Sequence, residues 1–174
     1  NEKYVVTYEA NLEVKSTGET FNVNNWASST SGTKTSGDGE NITKNITKNG
    51  SYDQNTGLVT WNIMINQNRQ DISGYTINDS IPGTIVGNVT LTNNSYGSQT
   101  TIPVSENTLN YTFPTDLTNE QKTSQYTISY QTKPTAGSTQ ETNVAKMTSP
   151  TGTTIQDDAI VGITKREKSL DKSF

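Results

Sequence analysis

The stretch Val59-Thr60-Trp61-Asn62-Ile63-Met64-Ile65-Asn66 decides the fold. Side chains alternate faces along a β-strand. Val59, Trp61, Ile63 and Ile65 therefore make one apolar face, with Thr60, Asn62, Met64 and Asn66 opposite. Outward from this strand the same alternation recurs in Tyr75–Asp79, Thr84–Thr92, Thr108–Phe113, Gln125–Lys133 and Thr142–Thr148. Turn signals separate these runs: Asn49-Gly50, Asn55-Thr56-Gly57, Pro82-Gly83, Asn93-Asn94 and Pro134-Thr135-Ala136-Gly137. Thr115–Lys122 (TDLTNEQK) predicts one short helical turn, capped by Thr115 or Asp116. Many short strands without a long helical period predict an all-β sandwich.

The 174 residues suffice for one ordinary sandwich, or for one domain with pieces of its neighbours. Only 28% of them are hydrophobic, a level that raises the question of disorder. The net charge of −4 is small, however, and the apolar residues are gathered in alternating runs. A thin sandwich with a polar, Thr-rich exterior follows. There is no Cys and no His, which excludes disulfides, cysteine nucleophiles, zinc sites and histidine acid–base chemistry. No metal or other cofactor is implied. Nucleic-acid binding is disfavoured by the acidic balance, and no run reaches the length of a membrane span.

An internal repeat organises the chain. Tyr4–Asn11 (YVVTYEAN) matches Tyr126–Lys133 (YTISYQTK), and Asn25-Trp26-Ala27 matches Asn143-Val144-Ala145. Ile42-Thr43-Lys44 matches Ile163-Thr164-Lys165. The period is on the order of 120 residues, the size of a single domain. Residues 1–40 thus read as the last strands of a preceding repeat plus linker. Residues 41–160 read as one complete domain, and 161–174 as the start of the next repeat or a linker.

Three polar residues fall on inward faces. Lys48 shares its side with Ile42, Lys44 and Ile46, and Asp79 with Tyr75 and Ile77. Asn143 shares its side with Ala145 and Met147, although Val144 on the other side is apolar too. A buried charge without a purpose is costly. A lysine, an acid and an asparagine buried together are the ingredients of a spontaneous Lys–Asn isopeptide bond. A blander arrangement has Lys44 and Lys48 snorkelling at a strand edge, Asp79 capping a turn before Pro82, and Asn143 bonded to backbone.

The segments ITKNGSYDQNTGLVTWNIMIN (Ile46–Asn66), YTINDSIPG (Tyr75–Gly83), YTISYQTK (Tyr126–Lys133) and TNVAKM (Thr142–Met147) together resemble the collagen-adhesin module of Gram-positive surface adhesins, the MSCRAMM type. The resemblance implies a variant immunoglobulin-like β-sandwich with Greek-key connections and an extracellular, cell-wall-anchored protein. It also implies an intramolecular isopeptide bond, with Lys48 as the amine, Asp79 as the assisting acid and Asn143 as the carboxamide. Lys44 is the rival amine, and the Lys-x-Gly spacing ahead of Trp61 favours Lys48. The amine must be neutral to attack, and desolvation lowers a lysine pKa. Such a reaction runs once per chain, so no enzyme is expected.

The implied partners are collagen or another host matrix protein, and neighbouring repeats of the same chain. The outward residues of the Trp61 strand, Thr60, Asn62 and Met64, are mostly polar and supply no apolar trench for collagen. A stalk repeat that projects a distal binding domain therefore competes. A carbohydrate-binding module is a third reading, with Tyr96 as its one loop aromatic. Asn25 and Lys165 are the second-repeat equivalents of the crosslinking pair. Asp157-Asp158 with Asp38 and Glu40 lacks calcium-loop spacing, and the Asn-x-Thr sequons follow from composition.

Overall fold

The computed structural model describes residues 21–28, 35–42 and 45–164, with side chains for 45–164. Its described elements are almost all strands. β1 (Phe21–Ser28) and β2 (Thr35–Ile42) pair antiparallel as a two-stranded sheet of their own. Then follow β3 (Ile46–Asp53), β4 (Leu58–Ile65), β5 (Thr76–Ser80), β6 (Thr84–Asn93) and β7 (Gln99–Ile102). After the short β8 (Val104–Ser105) come β9 (Thr108–Thr112), α1 (Asn119–Lys122), β10 (Tyr126–Lys133), β11 (Gln140–Thr148) and β12 (Thr154–Gly162).

Two five-stranded antiparallel sheets form the sandwich, in the orders β3-β4-β10-β6-β7 and β12-β11-β5-β9-β8. The chain passes repeatedly from one sheet to the other, as the immunoglobulin-like reading expects. Period-two burial is clear in β4, where Val59, Trp61, Ile63 and Ile65 are fully buried, and in β10 through Tyr126, Ile128, Tyr130 and Thr132. The core closes with Ile46, Ile72, Ile77, Leu109, Phe113, Ala145 and Met147. Phe113 packs edge-on against Tyr111 and Tyr126, at centroid distances of 5.1 and 5.0 Å. Among the described residues no helix is long and apolar enough to cross a membrane.

Two local expectations need correction. Asn49-Gly50 is not a turn: both residues lie inside β3, opposite Asn62 and Trp61. Gly50 is there because nothing larger fits. A Cβ on it would lie 2.5 Å from both Trp61 Cζ3 and Val161 Cγ2. The real turn comes a few residues later, where the Asp53 carboxylate accepts from the Asn55 amide and the Thr56 hydroxyl, and Gly57 supplies φ of 71°. The helical turn is capped by Thr118 and not by Thr115 or Asp116. Thr118 and Gln121 form a reciprocal capping box, each side chain accepting from the other's backbone N–H. Lys44, Lys165 and the repeat segment Tyr4–Asn11 lie outside the described residues. Asn25 sits in β1 opposite Asp38.

Gly50→Ala is expected to cost about 1–3 kcal/mol by overpacking Trp61 and Val161. Urea unfolding measures this, and an unchanged midpoint would show that the strand has room to give.

Candidate functional site

The three inward polar residues converge between the sheets. Lys48 comes from β3, the edge strand of one sheet, and stands opposite Ile63. Asp79 comes from β5 in the other sheet, between Leu109 and Ala145. Asn143 lies two residues before Ala145 on β11, on the same face, so it is the diagonal cross-strand neighbour of Asp79. All are deeply buried: Lys48 is 3% exposed, Asp79 2% and Asn143 1%.

A fourth residue, Tyr130 of β10, stands at the centre. Lys48 Nζ lies 2.6 Å from Asp79 Oδ2 and donates to the Tyr130 hydroxyl at 3.0 Å. The Tyr130 hydroxyl donates to Asp79 Oδ2 and accepts from Asn143 Nδ2 at 2.7 Å. A phenol has one proton and two lone pairs. With its proton on Asp79, the oxygen accepts from both nitrogens, which fixes the Asn143 amide with Nδ2 toward it. Two oxygens are left over: Asp79 Oδ1 and Asn143 Oδ1 are buried and have no hydrogen-bond partner. An unsatisfied buried polar group costs about 1–3 kcal/mol.

The surroundings work against charge on the lysine. Burial lowers the Lys48 pKa, and the Asp79 carboxylate and, more weakly, Asp157 pull it back up. Burial likewise raises the Tyr130 pKa well above its ordinary value, with Asp79 adding to the effect, so the phenol keeps its proton. The rings of Trp61 and Tyr130 flank the amine, with centroids 5.7 and 5.4 Å from Nζ. Trp61 is held in turn by a hydrogen bond from Nε1 to Thr132 Oγ1, 3.0 Å long. At the edge, the Lys48 backbone N–H donates to Asp157 Oδ2 at 2.8 Å, which ties β3 to β12.

The parity of the sequence locates Lys48, Asp79 and Asn143, and the structure brings all three together. It does not locate Tyr130. An inward tyrosine among Tyr126 and Ile128 reads as core packing, and only the buried hydroxyl distinguishes it. The signal available was that a buried phenol needs a partner.

No protein-family model matches the chain, and no curated protein matches it by sequence. Solved structures do. The collagen-binding subdomain ACE19 of the Enterococcus faecalis surface protein ACE aligns with a TM-score of 0.54 at 15% identity, covering 71% of this chain and 99% of that one. The collagen-binding domain of a Staphylococcus aureus adhesin aligns with 0.56 at 17% identity, covering 70% and 99%. BcpA, the major pilin subunit of Bacillus cereus, aligns with 0.50 at 14% identity, covering 82% of this chain but 48% of its own. The fold is that of a collagen-adhesin-type module, an immunoglobulin-like β-sandwich.

Removing one partner of a buried ion pair strands the other. In an Asn143→Ala background, where no Lys–Asn amide can form, Asp79→Ala is expected to destabilise by about 3–5 kcal/mol. Adding Lys48→Met should recover most of that loss in urea unfolding. A double variant no more stable than the single one would mean the cost is not that of an orphaned charge.

Proposed function

We propose that this chain is a module of a Gram-positive surface adhesin or pilus, locked by an amide that forms unaided between Lys48 Nζ and Asn143 Cγ. One observation carries the reading: an amine, a carboxyl and a carboxamide are gathered within hydrogen-bond reach of one hydroxyl, in a dry core. The pair begins as ammonium and carboxylate. A proton moves from Nζ to the Asp79 carboxyl across 2.6 Å, leaving a neutral amine. Exchange of that proton from Oδ2 to Oδ1, by a turn of the carboxyl, presents it from the oxygen that, like Asn143 Oδ1, has no hydrogen-bond partner before reaction. It polarises the Asn143 carbonyl and stabilises the oxyanion that develops as Nζ adds to Cγ. The fold holds the reactants together, which replaces a bimolecular encounter. Ammonia leaves, and the chain is changed once. This is self-modification and not turnover.

The setting that fits such a module is extracellular and cell-wall anchored, where it mediates or supports attachment to host matrix. Two of the fold relatives are collagen-binding domains, and the third is a pilin subunit. A supporting role is favoured by the outward face of β4. Thr60 and Asn62 are half-buried there by polar neighbours, the Gln131 side chain bonding Thr60 Oγ1, and Met64 is 38% exposed. Such a surface offers a collagen strand little apolar contact. Among the described residues Tyr96, 61% exposed, is the only aromatic residue on the open surface, which makes a poor platform for stacking sugars.

Two measurements bear on this. Intact mass spectrometry of the folded chain should show the loss of one ammonia, and Asp79→Ala should restore the full sequence mass. A wild-type mass without that loss rules out the amide. Binding to immobilised collagen separates direct adhesion from support. We expect no saturable binding, together with protease resistance that disappears in Asp79→Ala; saturable binding would instead make the module itself adhesive.

A further inference from the structure

The amide-forming reaction poses a proton problem that Lys48, Asp79 and Asn143 do not solve between them. When Nζ adds to Cγ, the attacking nitrogen becomes acidic and must lose a proton. Nδ2 must gain one before it can leave as ammonia, because an amide anion is a very poor leaving group. Asp79 is occupied at the oxygen end of the carboxamide. What lies between the two nitrogens is the Tyr130 hydroxyl, 3.0 Å from Nζ and 2.7 Å from Nδ2.

We propose that Tyr130 is a catalytic residue of this reaction, relaying a proton from the attacking Lys48 nitrogen to the departing Asn143 nitrogen. The inference rests on the amide reading above. In the tetrahedral adduct Nδ2 has become an amine with a free lone pair; the Tyr130 hydroxyl turns from Asp79 Oδ2 toward it, passes its proton to Nδ2 and takes one from Nζ. The Nζ–Cγ bond is then complete, the Cγ–Nδ2 bond breaks, and the electron pair leaves with nitrogen as ammonia. Nζ has gone from two protons to one, Nδ2 from two to three, and Tyr130 ends as it began. No co-reactant is needed.

Three features suit the phenol to this task. It is 2% exposed, so water does not compete for the transfer. Its ring is fixed from β10, where it stands opposite Trp61. Its raised pKa keeps the proton in place until the adduct forms, so it relays a proton and does not drift into the phenolate form. A hydroxyl that merely filled the core needs one partner, whereas this one touches both reacting nitrogens and the acid.

The test compares refolding kinetics. Wild-type, Tyr130→Phe and a third chain with 3,5-difluorotyrosine at position 130 are expressed as insoluble unfolded material, dissolved in urea and diluted into buffer. Samples quenched in acid report ammonia loss by intact mass, and tryptophan fluorescence reports folding. The wild type should lose ammonia soon after folding. Tyr130→Phe should fold and react at least about 100-fold more slowly, the scale of one proton-transfer contribution. The difluorinated chain keeps the hydroxyl but changes its acidity, so its rate should differ from that of the wild type. A Tyr130→Phe chain that crosslinks at the wild-type rate overturns the relay and leaves the amide standing. A wild-type chain that never loses ammonia overturns the amide, and the relay with it. Should Tyr130→Phe fail to fold, the fluorinated chain decides: an unchanged rate refutes the relay, and a changed one supports it.

Discussion

The Lys48 amine, held 2.6 Å from Asp79 in the space between two sheets, is the constraint to which the neighbouring strands conform. Taking an ammonium out of water costs several kcal/mol, and a single carboxylate rarely makes that good. The fold therefore surrounds the amine on every side. β5 supplies the counter-charge, β10 a hydroxyl, and the Trp61 and Tyr130 rings lie beside it. Asp157 on β12 fixes the backbone of the lysine itself. Gly50 gives up its side chain so that Trp61 and Val161 can close against β3. These contacts reach both sheets, so the site cannot assemble before the sandwich does.

Much of this was legible in the sequence because β-structure leaves a period of two. Asp79 and Asn143 were placed inward by counting from Ile77 and Met147, and both are buried. What failed to show was of two kinds. Asn49-Gly50 carries the letters of a turn, yet the glycine answers a packing demand from Trp61, a residue eleven positions away that becomes its cross-strand partner. Short-range chemistry cannot see that partner. Tyr130 was invisible for a different reason. Its ring satisfies the apolar pattern, so its hydroxyl looks incidental until three other strands deliver a lysine, an acid and an amide to it. The Thr118 cap lies between these cases: its capping box with Gln121 is a local signal, displaced by three residues from the earlier Thr115.

A chain with 28% hydrophobic residues and no cysteine has few routes to durability. On the proposed chemistry, an amide from β3 to β11 closes a loop of about 95 residues, which by analogy with disulfides contributes about 4–5 kcal/mol through the unfolded state. That is comparable to the whole net stability of many domains, about 5–15 kcal/mol. It also comes without a bond that reductants can break.

The charge balance of the proposed reaction would explain why a buried ion pair is kept at all. Before reaction the core holds an ammonium, a carboxylate and a carboxamide. Afterwards it holds a secondary amide and a protonated carboxyl, and ammonia has left. Five exchangeable protons begin on nitrogen and five are accounted for at the end: one on the amide, one on the acid, three on ammonia. No charge remains in the core. On that proposal, the desolvation cost that makes the Lys48–Asp79 pair a poor stabilising device would be released on forming the amide. Burial thus acts twice, first lowering the lysine pKa so that it can attack, then favouring the neutral product over the charged reactants. Replacing the pair with well-packed apolar residues would give a comparable fold, but it would leave nothing to react.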